Sequence, residues 1–462
     1  MIHIRAKARS VFTLVLAVLL LLAQALLRPV LAGGALPLVR DAEIEELLRL
    51  YATPIFRAAG LRPGAVRVHL LQNPSINAFV AGGQRIFIFT GLLRQARTPG
   101  EVIGVIAHET GHIAGAHLVR GQMELSRLST LAIIQNLLAA GMIAGGALSG
   151  QRGAVQAGKA VMLGGQSLLQ RRFLSYARAQ EAAADQAAAR YLEQVHLSGR
   201  GMLSMFQRLA NRSIASLVHA DPYVLTHPMP MQRIRLLERR LKKSPWFNKP
   251  DPPYLVWRHK LMHAKLVGFL SSPRAVWRRY PRSDTSQPAR YARAIAAYRV
   301  GDTNTALRLI DSLIREKPKY PYFHEFRGQV LLESGRVREA VKSYRQAVAL
   351  APRNALLRLY LAQALLSAGG RANAKAALRQ LRAARGVEGD RPMLHRLMAR
   401  AWAELGDVRR AELETAEAAL GMGDLDLAIA KSKRLLRKFP KGSPGWLRAN
   451  DILNAAKRFK RS

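Results

Sequence analysis

The sequence predicts two folded parts, an α+β domain over residues 33–242 and an all-α solenoid over residues 289–462. Short alternating apolar segments among helical patterns predict the first part, and a 34-residue repeat predicts the second. Residues 243–288, rich in proline, tryptophan and basic side chains, are expected to form a linker that packs on its neighbours. The apolar fraction of 49% is ordinary for globular protein, so we expect buried cores and not disorder.

The N-terminus has the pattern of a secretory signal peptide over residues 1–32. Three basic residues precede an uncharged run at 10–27: Arg5, Lys7 and Arg9. Val30 and Ala32 then lie where a small-residue cleavage site needs them. We therefore expect the rest of the chain to lie outside the bacterial cytoplasm or its equivalent. The run is nearly as long as a membrane span, so an uncleaved anchor is the alternative.

The chain is strongly basic, with 72 Lys and Arg against 30 Asp and Glu and a formal charge of +42. This excess favours anionic partners, among them an anionic membrane surface. A location outside the cytoplasm argues against nucleic acid. The alternative is an arginine-biased composition on solvated helix faces. Cysteine is absent, which excludes disulfides and thiolate chemistry.

The first part begins with a helix over about residues 40–60, which ends at Gly60. The short alternating segment "VRVHLL" follows. Residues 76–90 then predict a hairpin, because the pair Gly82-Gly83 tolerates the positive φ of a two-residue turn.

A capped helix is predicted over residues 99–119. Thr98 is the cap, Pro99 occupies the first helical position, and Glu101 completes a capping box. Residues 128–151 carry no charge, which favours a pair of apolar helices that touch a membrane surface or cover the site. A transmembrane span is the alternative. Further helices are expected over 168–196 and up to about residue 242.

The second part repeats with a period of 34 residues, which is typical of tetratricopeptide repeats. Glycines between helices and small residues at helix contacts share this period: Gly301, Gly335 and Gly369; Ala306, Ala340 and Ala374; Ala294, Gly328 and Ala362. The register changes at Gly406 and Gly423. The last units are therefore expected to be atypical, as capping repeats are.

The predicted helix at 99–119 contains "HETGH", in which His108 and His112 lie one turn apart. On an α-helix they are separated by about 40° and about 6 Å, so both imidazoles can reach one metal ion. Glu109 lies beside that ion, in the position of a base acting on metal-bound water. His117 is about 180° from His108, so it should point elsewhere as a structural or supporting residue. The alternative to a metal site is a core helix with hydrogen-bonded histidines.

A catalytic zinc ion needs a third protein ligand and one open position for water. In "EAAAD", Glu181 can supply an oxygen ligand, and Asp185 lies on the same helical face. Asp185 would accept a hydrogen bond from the outer nitrogen of a ligating histidine. Two solvated acids are the alternative. The pattern predicts a zincin-like metallopeptidase domain with one Zn²⁺ per chain and Glu109 as catalytic base.

Two further elements extend the predicted site. In "THPMPMQRI", His227 is a gate, a fourth ligand or an oxyanion donor supported by Arg233, or else a turn histidine near a helix-capping arginine. An exposed edge strand near zinc could pair with an extended substrate, or the same strand could be buried in the core. The residues of this candidate strand are Arg85, Ile86, Phe87, Ile88 and Phe89.

Four motifs in this order resemble the membrane-associated zinc metallopeptidases that include the HtpX peptidases and the CAAX prenyl proteases: "NAFVAGGQRIFIFTGLL", "HETGH", "EAAAD" and "THPMPMQRI". With the signal and the repeats, the chain also resembles the periplasmic β-barrel assembly-enhancing proteases of that group. The resemblance implies zinc bound by His108, His112 and Glu181, catalysis by Glu109, and a regulatory, zinc-facing His227. It also implies repeats that dock onto the outer-membrane assembly complex.

The first functional hypothesis is a periplasmic zinc endopeptidase that degrades unfolded or misassembled envelope proteins, with repeats that recruit the assembly complex or the substrate. A chaperone or scaffold with a latched peptidase is the second, and an integral-membrane processing protease is the third.

The solenoid is basic, which predicts that its partner has an acidic surface. Its arginines include Arg345, Arg353, Arg358, Arg379 and Arg382.

Overall fold

A computed structural model describes residues 38–148, 152–215, 227, 230–388 and 391–461. The predicted signal peptide at 1–32 lies outside the described residues. Residues 1–39 form a separate unit, of which only the strand β1 (Leu38–Val39) is described. All features below belong to the second unit, residues 40–462.

The N-terminal part of this unit is α+β, as predicted. Its elements are α1 (Ala42–Ala58), β2 (Arg67–Leu71), β3 (Ala78–Ala81), β4 (Arg85–Phe89), α2 (Thr90–Gln95), α3 (Pro99–Ala114), α4 (His117–Leu148), α5 (Arg152–Gln194), α6 (Arg200–Ala215) and α7 (Met231–Lys242). Two helices follow in the segment treated as a linker, α8 (Pro253–Leu270) and α9 (Pro273–Arg279).

The predicted hairpin at residues 76–90 is confirmed, since β3 and β4 pair in antiparallel fashion. Its loop, residues 82–84, is one residue longer than predicted, and Gly82 and Gly83 have φ of 58° and 87°. β4 also pairs with β2, in parallel. The prediction that Arg85–Phe89 is an exposed edge strand is therefore wrong: both of its sides are hydrogen-bonded, and β3 is at the edge of the sheet.

Helix α3 is a core helix, because its residues from Pro99 to Gly111 are all buried. Thr98 caps it as predicted, and its Oγ1 accepts the amide of Glu101 at 3.4 Å. The Glu101 carboxylate accepts the amide of Arg97 at 2.7 Å, whereas a capping box would pair it with the amide of Thr98. A Cβ placed at Gly104 would lie 2.4 Å from the Cβ of Met202. Helix α6 therefore approaches α3 as closely as a glycine allows.

Helices α4 and α5 pack against each other. The uncharged segment at 128–151 was predicted to form a pair of apolar helices, but its described residues, up to Leu148, all lie on the single helix α4. Helix α5 begins at Arg152, earlier than the predicted start at 168. Among the described helices, none combines the length and apolar character that a bilayer crossing requires.

The C-terminal part is an all-α solenoid, as predicted. Its helices are α10 (Gln287–Arg299), α11 (Thr303–Glu316), α12 (Pro321–Glu333), α13 (Val337–Leu350), α14 (Ala355–Ala368), α15 (Arg371–Glu388), α16 (Pro392–Glu404), α17 (Val408–Met422), α18 (Leu425–Lys438) and α19 (Pro444–Arg461). Gly301, Gly335 and Gly369 have φ of 81°, 79° and 68°. They occupy the turns between paired helices, where a left-handed residue is needed.

A buried charged cluster joins the solenoid to the N-terminal part. Glu43 on α1 is fully buried and accepts hydrogen bonds from the hydroxyls of Tyr291 and Tyr320, at 2.9 and 2.6 Å. Lys265 on α8 is 2% exposed, and its Nζ lies 2.8 Å from Asp41 and 3.3 Å from Glu43. Helix α8 therefore forms part of the core that both parts share.

Candidate metal centre

Helix α3 brings the two histidines of "HETGH" together, as the one-turn spacing predicts. The Nε2 atoms of His108 and His112 are 3.1 Å apart. His108 is fully buried, and the His112 side chain is 12% exposed. Both imidazoles therefore point at one place, which is shielded from bulk solvent.

Glu181 on α5 and His227 complete a cluster of four metal-binding groups. Oxygens of Glu181 lie 3.3 Å from Nε2 of His108 and 3.3 Å from Nε2 of His112. Nδ1 of His227 lies 3.0 Å from Glu181 and 3.4 Å from Nε2 of His108. One ligand atom from each of the four residues falls within 4.8 Å of the others.

These separations fit a divalent metal. Ligand atoms placed tetrahedrally about 2.0–2.1 Å from zinc lie about 3.3 Å from one another. The nitrogen and oxygen atoms named above are separated by 3.0 to 3.4 Å. Two imidazoles and a carboxylate are ligands that zinc accepts, and a third imidazole can fill the position otherwise left for water.

Glu109 is fully buried beside the cluster. Neither oxygen of its carboxylate has a hydrogen-bond partner among the described residues. One oxygen lies 3.6 Å from Nε2 of His227. A buried carboxylate without partners carries a desolvation cost, which a proton from a bound water would relieve. The geometry therefore suits Glu109 to accept that proton.

Asp185 and Arg233 support the ligands from behind. Oδ1 of Asp185 lies 3.0 Å from Nδ1 of His108, the outer nitrogen expected to face it. Arg233 on α7 donates from Nε to Asp185 at 2.6 Å, and its Nη1 lies 2.8 Å from Glu181. Arg233 was expected to support His227 or an oxyanion. The structure instead places its guanidinium on the two carboxylates, where it offsets their charge.

His117 also contacts the site. The prediction that it points elsewhere is wrong, but its contact with His112 agrees with the supporting role expected for it. Helix α3 ends at Ala114 and not at 119, and Ala116 has φ of 50°. This break turns the chain, so that Nδ1 of His117 lies 3.0 Å from Nδ1 of His112. Gly115, at the helix end, is the residue in the sequence that signals such a stop.

The pKa values of the titratable groups at the site depend on burial and on contacts with neighbouring groups. Burial would raise the pKa of the Glu181 carboxyl, but hydrogen bonds with His108, His112 and His227 hold that pKa far below its usual range. Burial would lower the pKa of His108, but its contacts with Asp185 and Glu181 raise it to about 9. Burial, then the neighbouring His112, lowers the pKa of His117 to about 4.

A cavity of about 330 Å³ opens at the cluster. Glu109, His112, Glu181 and His227 line one side, and Phe79 and Val80 line another. The edge strand at the site is thus β3, and not the predicted Arg85–Phe89. Among the described residues, no strand pairs with the other side of β3, and an extended peptide could add to the sheet there.

Comparison with known proteins agrees with both parts of the fold. The family model described as peptidase family M48 matches residues 39–241, and two tetratricopeptide repeat models match residues 291–355 and 331–401. All four residues of the metal cluster lie within the first match.

Three curated relatives cover parts of the chain. A β-barrel assembly-enhancing protease of Yersinia pestis is 24% identical over 71% of this chain and 66% of its own length. One from Escherichia coli (strain K12) is 22% identical over 73% of this chain and 68% of its own length. The metalloprotease LoiP of Escherichia coli (strain K12) is 32% identical over 37% of this chain and 61% of its own length.

The chain thus spans about two thirds or less of the length of these relatives. The helix that carries HETGH and the glutamate on α5, Glu181, both lie within the region that the M48 model matches. Residues 39–241 are therefore a peptidase family M48 domain, and tetratricopeptide repeats follow it in the same chain.

Proposed function

We propose that the protein is a zinc-dependent endopeptidase in which His108, His112 and Glu181 hold the metal and Glu109 is the catalytic base. The observation that carries this proposal is the convergence of ligand atoms from His108, His112, Glu181 and His227 within 4.8 Å. Zinc is the metal that best suits two imidazoles and one carboxylate in a tetrahedral set.

Bound zinc would supply an acidified water and polarise the peptide carbonyl. Glu109 would accept a proton from the attacking water and later deliver it to the amine that leaves when the peptide C–N bond breaks. The edge of β3 binds an extended segment through its main chain, which favours unfolded substrates. Arg233 and Asp185 hold Glu181 and His108 in place, so the ligands need no reorganisation when the metal binds.

His227 supports a second candidate function, a chaperone or scaffold with a latched peptidase. Its Nδ1 is 3.0 Å from Glu181 and 3.4 Å from His108, which is the place of a fourth ligand. A histidine bound there would keep water from the fourth ligand position. Cleavage would then begin only when His227 moves away.

The substrates we propose are unfolded or misassembled outer-membrane and other envelope proteins in the periplasm. The names of the relatives support a role in β-barrel assembly. The repeats would recruit the assembly complex or the substrate, because stacked helical repeats present an extended binding surface. The basic charge supports a peripheral association with an anionic membrane.

The test is Glu109→Gln in the full chain. We expect this variant to keep stoichiometric zinc and to cleave an unfolded protein about 10²–10⁴ times more slowly, since a positioned base contributes that much. Metal analysis and a proteolysis assay measure the two effects. His112→Ala is the matched control and should lose the metal as well as the activity.

Two results would contradict these proposals. Undiminished cleavage by Glu109→Gln would remove Glu109 as the base. If that variant rescued every phenotype of a gene deletion, the scaffold function would replace the protease function. A latch at His227 predicts faster cleavage by His227→Ala, and unchanged or slower cleavage would reject the latch.

A further inference from the structure

A cavity of about 620 Å³ lies away from the metal cluster, between α2 and the helices α8 to α10. Four of its lining side chains are cationic: Arg94, Arg97, Lys260 and Arg279. Gln95, Ser286 and Tyr280 add polar groups. No carboxylate belongs to its lining among the described residues. The cavity therefore concentrates positive charge in a concave site.

The four cations are not neutralised by neighbouring acids. None of them forms an ion pair with a carboxylate in the described part of the chain. Arg94 donates only to the hydroxyl of Ser271, at 3.3 Å. Asp284 uses Oδ1 to accept the amide of Ser286, at 3.0 Å, and does not line the cavity. Arg94 is partly buried and the other three cations are exposed. Solvent therefore screens part of their mutual repulsion, and an anion that enters would offset the rest.

His263 lies among these cations and is fixed by its own hydrogen bonds. Its Nε2 faces the carbonyl of Arg94 at 3.0 Å, and its Nδ1 faces the hydroxyl of Tyr280 at 3.4 Å. The neutral ring can donate from Nε2 to this carbonyl and accept the tyrosine hydroxyl at Nδ1, and Nη2 of Arg279 lies 3.5 Å from the same Nε2. Burial, and after it the charge of Arg279, lowers the pKa of His263 to about 4. The ring orders the cavity wall, and the donors left for a ligand are the guanidinium and ammonium groups.

We propose that this cavity is a binding site for a multiply charged phosphoryl anion, a phosphate monoester or a diphosphate group. Guanidinium and ammonium groups are the side chains that bind phosphate oxygens, arginine through paired donors. A phosphate monoester carries about −1.5 to −2 at pH 7, which offsets four cations better than a carboxylate does. The volume is within the range of about 300–1,000 Å³ that small-ligand sites occupy.

The phosphoryl group can belong to a lipid headgroup or to a soluble phosphate compound. Each source has its own probe. Vesicles that contain phosphatidic acid test for a lipid headgroup, and inorganic pyrophosphate tests for a soluble phosphate compound. The proposal goes beyond the proposed proteolysis, and its test needs neither the metal nor cleavage.

The test compares two double variants of the full chain with the same change in net charge. Arg97→Gln with Lys260→Gln removes two exposed cations from the cavity. Arg338→Gln with Lys342→Gln removes two exposed cations from α13. Binding of pyrophosphate is measured by calorimetry. Binding of phosphatidylcholine vesicles, with and without phosphatidic acid, is measured by flotation.

We expect the cavity variant to bind the phosphoryl ligand at least about tenfold more weakly than the unaltered chain, because it lacks two of the cations that would donate to phosphate oxygens. The α13 variant should bind within about twofold of the unaltered chain. Pyrophosphate binding supports a soluble ligand, and binding only to phosphatidic acid vesicles supports a lipid headgroup. Equal loss in both variants, or no binding of either probe, would overturn the proposal.

Discussion

At the residue scale, the candidate metal centre depends on how buried charges are balanced. Asp185 and Glu181 are buried, and Arg233 contacts both carboxylates. A buried charge that loses its partner is costly, by about 3–5 kcal/mol. The guanidinium therefore positions the two carboxylates although it does not line the cavity at the cluster.

We predict that Arg233→Gln lowers zinc affinity by about 10–100-fold, because it releases Asp185 and Glu181 from their positions behind and beside the metal. Competition with a zinc chelator measures the change. Arg235→Gln is the control, since Arg235 is exposed on the same helix. Equal affinities for the two variants would show that Arg233 does not position the ligands.

His263 provides a prediction for pH. Burial and the charge of Arg279 lower its pKa to about 4 from 6.5, so below pH 6.5 the unfolded chain binds a proton that the folded chain does not. Stability is therefore full above pH 6.5 and falls as the pH decreases towards 4, by about 3 kcal/mol for a shift of this size. Denaturant unfolding of the protein and of His263→Gln at several pH values tests this. The loss should be smaller in the variant, and parallel pH profiles would contradict the prediction.

At the element scale, α3 is positioned by close backbone approach as well as by its cap. Gly104 faces Met202 on α6, and Gly111 faces Ala184 on α5, where an added Cβ would lie 2.4 and 2.9 Å from the nearest atom. These two glycines let α5 and α6 approach the helix that carries the histidines. Glu181 can reach the histidines only because α5 lies this close.

We predict that Gly104→Ala destabilises the fold by about 1–3 kcal/mol, since the added methyl overlaps Met202. Gly121→Ala is the matched control, because nothing lies within 4 Å of its added Cβ on helix α4. The control should be neutral or more stable by about 0.5–1 kcal/mol. Thermal and denaturant unfolding compare the two, and similar effects would mean that α6 adjusts to the methyl at no cost.

At the scale of the whole second unit, the peptidase domain and the repeats share one buried charged cluster. Glu43 from α1 accepts two tyrosine hydroxyls from the solenoid, and Lys265 from α8 lies 3.3 Å from Glu43 and 3.3 Å from Glu325 on α12. This arrangement explains why residues 243–288 are mostly helical. Their first helix fills the junction, so the repeats hold a defined position on the M48 domain.

Removal of Glu43 should weaken this junction. We predict that Glu43→Ala destabilises the protein by about 3 kcal/mol, since it leaves Lys265 and two tyrosine hydroxyls with fewer buried partners. Arg49→Ala removes an exposed charge from the same helix and should change stability by less than about 0.5 kcal/mol. Scanning calorimetry measures both. If Glu43→Ala unfolded at the same temperature as the unaltered chain, the cluster would not hold the two parts together.

The sequence by itself determined the features that depend on regular spacing along the chain. Two histidines four residues apart face one side of any helix, and Glu181 and Asp185 share a face for the same reason. The 34-residue spacing of Gly301, Gly335 and Gly369 likewise predicts turns between paired helices, and the structure confirms them. Such patterns depend on backbone geometry and not on distant partners.

Only the tertiary structure decided which strand lies at the edge, what Arg233 contacts and where His117 points. β4 has a strand on each side because β2 pairs with it in parallel and β3 pairs with it in antiparallel fashion. The pattern of residues along β4 does not reveal that second partner. Arg233 meets Asp185 from 48 residues away, and Lys265 meets Glu325 from 60 residues away. These contacts arise where separate elements pack, and the physical reason is that burial of a charge requires a partner wherever in the chain that partner lies.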